Sequence, residues 1–225
     1  MNVISQWAQG IDLQWLLAEA FIVLSAIISL TVHESAHGLA ALWLGDDTAK
    51  RMGRISLNPL RHIDVLGLIM LATVKFGWAK PVPIDMRRFK NQKTGMALSA
   101  LAGPASNVLL ALLATVLYKI FASVYLTSDS DVCYYLALFF LYLQLINAGL
   151  AVFNLIPIPP LDGSKILAIV LPERVHTFLM RYERYGFLVL AVLLFAGVLD
   201  TPLSFLRNGL IDRLETLVGF LFPML

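Results

Sequence analysis

Charge is scarce in this chain: 14% of its 225 residues are Asp, Glu, Lys or Arg, whereas 59% are hydrophobic. Soluble globular domains carry about 25% charged residues and about 45–50% apolar ones. The deficit argues against an ordinary soluble domain and for a chain that dissolves in lipid. A formal net charge of +2 gives no sign of a nucleic-acid partner. The lone cysteine, Cys133, excludes an internal disulfide and CxxC chemistry. Met1 to Gln14 hold no Lys or Arg, so the positively charged region of a cleavable signal peptide is not expected there. No repeat, low-complexity tract or polar domain is evident, and 1–225 reads as one membrane-embedded unit.

What the chain has in abundance is long apolar runs. Trp15–Leu44, Met96–Leu126 and Tyr134–Pro157 each exceed the roughly 20 residues that a helix needs to cross a hydrocarbon core of about 30 Å. Ile63–Phe76 is too short, and Gly77, Pro81 and Pro83 follow it; it reads as a re-entrant or interfacial connector. Ten of the seventeen Lys and Arg fall between Lys50 and Lys93, whereas the loop Thr127–Val132 has Asp129 and Asp131 and no base. The positive-inside tendency then puts 50–93 and the basic stretch 158–184 in the cytoplasm and 127–132 outside. That topology suits the inner (cell) membrane, with several passes. The C-terminal part, about 185–225, reads either as one more span plus an amphipathic helix or as two shallow elements. The fold class expected is an all-α membrane protein, a polytopic helical bundle.

Within the first run lies His33-Glu34-Ser35-Ala36-His37, an HExxH motif. Residues four apart on a helix are offset by about 40° and by one turn, so both imidazoles face one side. They can converge on one Zn²⁺ at about 2.0–2.1 Å, with Glu34 beside it to move the proton of a water. Glu34 lies deep in an apolar run, where an unpartnered ionisable group costs several kcal/mol; such residues mark function. The motif sits roughly 10–16 Å below the end of its helix, at about 1.5 Å per residue. A catalytic zinc takes three protein ligands and keeps one position open. His62 and His176 sit in basic, loop-like surroundings and read as ordinary interfacial histidines. Asp162, in Asn154-Leu-Ile-Pro-Ile-Pro-Pro-Leu-Asp162-Gly163, is the better third ligand. By itself an Asp before a Gly reads as a turn or a helix cap; with the HExxH upstream, the ligand reading prevails.

These motifs bring a family into view. The chain resembles the site-2 proteases, the zinc intramembrane metalloproteases, in their compact prokaryotic form. The likeness runs from about His33 to Lys165 and rests on the HExxH, on Ala102-Gly-Pro-Ala-Ser-Asn107 and on the Asn154–Gly163 stretch. Phe76-Gly-Trp-Ala-Lys-Pro-Val-Pro83 is similar to the family's connector between its first two core helices. The resemblance implies that His33, His37 and Asp162 bind zinc, that Glu34 is the catalytic carboxylate, and that Asn154 faces the site to position substrate. It also implies a three-helix catalytic core, about 15–44, 96–126 and 134–157, and a transmembrane protein as substrate. Two departures are expected: no span before the HExxH helix, and no PDZ or CBS domain within 1–225.

Further expectations follow from the residues. Pro157, Pro159 and Pro160 cannot continue a helix, so Ile156–Leu161 is expected to be extended beside a wet cavity. Pro157 and Pro159 would then border a substrate strand paired by β-addition. Asn154 reads equally as an oxyanion donor or a packing amide. Asn107 reads as a helix-to-helix hydrogen bond in preference to a group supporting the metal site, and Ala102 to Ser106 as a small-residue packing surface. Arg87 to Lys90 read as solvated or headgroup-facing. The rival function is a catalytically inactive scaffold or transporter with a structural zinc site, but such sites are normally closed by four protein ligands. The oligomeric state is not legible.

Overall fold

The computed structural model describes residues 13–74, 77–172 and 185–222. His176, Arg174, Arg181, Arg184 and Phe76, with most of Met1–Gln14, lie outside the described residues. Hydrocarbon offers the backbone no hydrogen-bond partner, so an apolar run must close its bonds internally, and a helix does so. The described chain is helical, with one isolated β-bridge, Ile63 to Ala79. We label the helices α1 (Leu13–Trp43), α2 (Thr48–Arg51), α3 (Val65–Val74), α4 (Gln92–Ser128), α5 (Asp131–Asn154), α6 (Asp162–Leu167), α7 (Tyr185–Phe195) and α8 (Asp200–Leu221).

Helices α1, α4 and α5 are each long and apolar enough to cross a membrane. They pack against one another as a three-helix group. Their burial is the reverse of a soluble core. The buried face of α1 is Ser25, Ala26, Ser29, His33, Ser35 and their neighbours, and that of α4 is mostly Ala, Gly and Ser. Leu24, Leu39, Leu109 and Leu113 point outward. Lipid tails are as apolar as leucine, so helices associate through small residues that allow close approach and through polar groups that bond across the seam. Asn91 starts α4 by accepting a hydrogen bond from the Thr94 amide (3.2 Å), and Asp129, in the left-handed conformation (φ 50°), ends it. The chain then reverses into α5, and Phe121 stacks on Phe140 at 5.6 Å.

Residues 44–90 form the connector between α1 and α4. Its organiser is Asp46, which is fully buried. One carboxylate oxygen accepts from the Thr48 amide and hydroxyl (3.0 and 2.5 Å), and the other accepts from the Asp85 amide (2.7 Å). Burial acts to raise the pKa of Asp46, but these hydrogen bonds and nearby Arg88 outweigh it and hold the carboxyl below its usual range. Arg88 is exposed, in keeping with a solvated stretch, and it also pairs with Asp47 at 2.9 Å, so it clamps the two ends of the connector together. The Lys80 amide donates to His62 O (2.8 Å), laying 79–84 across the α1 end of the bundle. α3 has ten residues, about 15 Å, or roughly half a bilayer core.

Two expectations need correction here. α5 ends at Asn154 and not at Pro157. Ile156–Leu161 is non-helical but not extended: the Ile158 amide bonds Ile156 O (2.8 Å) and the Leu161 amide bonds Ile158 O (2.9 Å). Two amides are thereby spent on tight turns, and β-addition loses its free edge. At the C-terminus α7 and α8 meet at 87°, and α8 then packs along α5 and α4.

Candidate metal centre

The HExxH helix presents His33 and His37 on one buried face, as the four-residue spacing requires. Asp162 arrives from the start of α6. It does not cap that helix: the N-cap position is Leu161. The turn that delivers Asp162 depends on Gly163, where an added Cβ would lie 2.3 Å from Leu155 O. His33 Nε2 and His37 Nε2 are 2.9 Å apart, and each is 3.2 Å from Asp162 Oδ2. These are the described residues whose His, Cys or carboxylate atoms converge as a metal-holding group. His62 is not in it. It is buried within the protein, and its Nε2 bonds Ser56 O at 2.8 Å.

The protonation of the rings follows from their other nitrogens. His37 Nδ1 lies 2.7 Å from Ser99 O, a carbonyl that can only accept, so Nδ1 carries the hydrogen. His33 Nδ1 lies 2.5 Å from Asn107 Oδ1. The Asn107 amide nitrogen donates to Asn147 Oδ1 (2.7 Å), and the Asn147 amide nitrogen donates to Ser29 Oγ (2.7 Å) and Leu143 O (2.8 Å). This chain fixes Asn107 with its oxygen toward His33, so His33 Nδ1 is also the donor. With the hydrogen on Nδ1 of each ring, both Nε2 lone pairs and Asp162 Oδ2 are free to converge on one bound cation. Ligands at about 2.0–2.1 Å from tetrahedral zinc lie about 3.3 Å apart, close to the observed 2.9–3.2 Å. Nitrogen and carboxylate donors suit zinc, and the donor set fits it.

Two residues supporting this site were read otherwise from sequence. Asn107 does bond helix to helix, through Asn147, but the same amide also orients His33. Gly103 belongs to the small-residue surface of α4, yet its open side holds the two imidazoles. A Cβ there would sit 2.4 Å from His37 Cε1 and 2.6 Å from His33 Cε1. The period of small residues in Ala102–Ser106 signals close packing, but nothing in it reveals that the neighbours are the rings.

Around the three ligands lies a cavity of about 360 Å³, lined among others by Glu34, Val82, Met96, Asn154, Pro160 and Lys165. Glu34 Oε2 accepts from the Val82 amide of the connector at 2.7 Å. Lys165 Nζ stands 4.0 Å from Asp162 Oδ1, the oxygen turned away from the histidines. Asn154 borders the cavity while its amide nitrogen donates to Leu150 O (3.0 Å). Of the three prolines, Pro160 lines the cavity. Pro157 is exposed, and Pro159 is backed by Gly186 of α7.

Comparison with known proteins agrees with this geometry. The profile of peptidase family M50 matches residues 123–197. The chain is 39% identical to YwhC of Bacillus subtilis over 174 residues, covering 77% of this chain and 79% of YwhC. It is 29% identical to Rip2 of Mycolicibacterium smegmatis over 213 residues, covering 88% of this chain and 80% of Rip2. Both relatives carry names that propose a zinc metalloprotease. No solved structure matches the chain.

Proposed function

This chain belongs to peptidase family M50, the site-2 protease family, and on that premise we propose that it is a zinc metalloendopeptidase that cuts transmembrane proteins within the bilayer. The observation that carries the reading is the convergence of His33, His37 and Asp162 beside Glu34, in a cavity lined by α1, the connector, the start of α4 and the end of α5, three of them helices long and apolar enough to cross a membrane. His33, His37 and Asp162 are the proposed zinc ligands. Zinc, when held there, supplies Lewis acidity that lowers the pKa of water to about 7.

The residues of the chain do the rest. Glu34 accepts the proton of the attacking water and returns it to the leaving amine; general acid–base catalysis of this kind contributes about 10²–10⁴-fold. The Val82 amide anchors Oε2 of Glu34, so Oε1 is the oxygen available for the proton. Asn154 gives its amide, held in this structure on Leu150 O, to the substrate backbone or the developing oxyanion. The turn segment bearing Pro157 and Pro159 is the shoulder along which the substrate chain lies, and Pro160 is the adjoining wall. Lys165, 4.0 Å from the outer oxygen of Asp162, places a positive charge beside that carboxylate. By the distribution of Lys and Arg the site opens toward the cytoplasmic side of the cell membrane. Three protein ligands are found among the described residues, against the four of a closed structural site.

The test is cleavage of a transmembrane reporter by purified protein, wild type against Glu34→Gln, with zinc measured in both. Zinc retained with turnover reduced at least about 10²-fold is expected. Equal turnover would reject the assignment.

A further inference from the structure

Helix α8 is unlike the other long helices. It carries Arg207, Asp212, Arg213 and Glu215, which from sequence suit a surface helix, yet it packs along the bundle. The Arg207 stem lies beside Gly149 of α5. The Gln144 amide donates to Glu215 Oε1 (3.3 Å), and Lys119 Nζ donates to Glu215 O (3.4 Å). Gln144 is near the middle of α5, a membrane-crossing helix. Glu215 and its neighbours Asp212 and Arg213 are therefore level with the middle of that membrane-crossing helix.

The side of α8 that meets the bundle is Ile211, Leu214 and Val218. At about 100° per residue, the opposite side is centred on Gly209, with Thr216 below it and Phe205 and Phe220 at the ends. A Cβ placed on Gly209 meets nothing within 4 Å. Asp212 lies about 60° to one side of Gly209 and Arg213 about 40° to the other. Both are exposed, and neither has an ion-pair partner among the described residues. A charge facing lipid at this depth costs about 2.5–3.5 kcal/mol even on the most lenient scale, so lipid alone is a poor cover for this face.

We infer that α8 is the contact face of a parallel homodimer, in which Asp212 of each copy pairs with Arg213 of the other on either side of Gly209. The symmetry selects this occupant. Copies in one membrane share one orientation, so the two-fold axis stands along the membrane normal and the paired helices run parallel. That rotation carries the Asp212 flank of one helix opposite the Arg213 flank of the other, as at the flanking positions of a parallel coiled coil. An antiparallel partner would set like charges together. A partner of single-signed charge would leave one of the two residues unmatched. Gly209, without a side chain, lets the backbones approach.

The test uses the full chain, labelled and reconstituted in bilayers at falling protein-to-lipid ratio, with subunits counted by single-molecule photobleaching. Wild type is expected to show two bleaching steps. D212R and R213D, each alone, are expected to weaken the dimer by about tenfold or more through like-charge opposition, and the D212R/R213D double exchange should restore it. In a Cys133→Ala background, Gly209→Cys should cross-link to a dimer on oxidation, whereas the lipid-facing Leu109→Cys should not. Single-step bleaching of wild type at every dilution overturns the proposal. So does a dimer that neither single exchange weakens, or one that the double exchange fails to recover. Should the charged variants not insert, Gly209→Leu, which removes only the close approach, must still yield monomers.

Discussion

Replacing Gly103 by alanine adds one methyl group at the most crowded point of the site. The new Cβ would lie 2.4 Å from His37 Cε1, 2.5 Å from His37 Nε2 and 2.6 Å from His33 Cε1. Carbon–carbon contacts settle at about 3.5–4.0 Å, so the rings, or the α4 backbone beneath them, must yield by about 1 Å. A ligand bond of about 2.0–2.1 Å does not survive such a shift in both histidines. We expect zinc affinity to fall at least as far as when an outer-shell partner is lost, about 10–100-fold, or about 1.4–2.7 kcal/mol at 1.36 kcal/mol per decade. Stability of the metal-free protein separates this from misfolding. Alanine is favoured over glycine inside a helix by about 0.8–1.0 kcal/mol, and without zinc the rings can yield at the cost of their hydrogen bonds to Ser99 O and Asn107 Oδ1. Chelator competition should therefore show weakened zinc binding, while metal-free thermal unfolding in detergent stays level or rises. Wild-type zinc affinity in Gly103→Ala would refute the placement of the rings against α4.

Other outcomes follow from the same contacts. Asn107→Ala removes the acceptor that fixes the His33 tautomer and should weaken zinc binding about 10–100-fold by chelator competition. Asn107→Asp, which still accepts from Nδ1, should recover part of that loss. Asp46 gives a pH dependence with a definite sign. Its folded-state pKa lies below the ordinary value of 3.8, so the stability it contributes is complete above that value and is lost as pH falls through the lower one. Thermal stability of wild type should accordingly drop as pH falls below about 3.8, and Asp46→Asn should be weaker at pH 7 and flatter across that window. A wild-type curve parallel to that of Asp46→Asn would remove Asp46 as the organiser of the connector.

The long helices were legible because lipid imposes a simple rule: the expected span Trp15–Leu44 and the observed α1 differ by a residue or two at each end. The same holds for Met96–Leu126, though α4 extends several residues further at its start because Asn91 caps it. His33, Glu34 and His37 were legible because helical spacing alone sets both rings on one face. Asp162 reached the list through chemistry, but only the three-dimensional turn over Gly163 shows how it meets them. What could not be read is what depends on contacts between distant segments. The prolines of Ile156–Leu161 forbid a helix without choosing between a strand and a run of turns. The ordering of the connector by Asp46, Thr48, Asp85 and Arg88 links residues about 40 apart. The charges of α8 left its placement open between an amphipathic helix and a shallow element, because a sequence does not show that Gln144 and Lys119 meet Glu215 across the bundle.

The most direct measurement of the central claim is zinc K-edge absorption spectroscopy on the purified, zinc-loaded chain, with Asp162→Ala beside it. Wild type should show two imidazole nitrogens at about 2.0–2.1 Å, oxygen at about 2.0–2.2 Å and no sulfur. The Asp162→Ala protein should lose an oxygen neighbour or fail to hold zinc. A sulfur neighbour at about 2.3 Å, or identical spectra from the two proteins, would contradict the proposed centre.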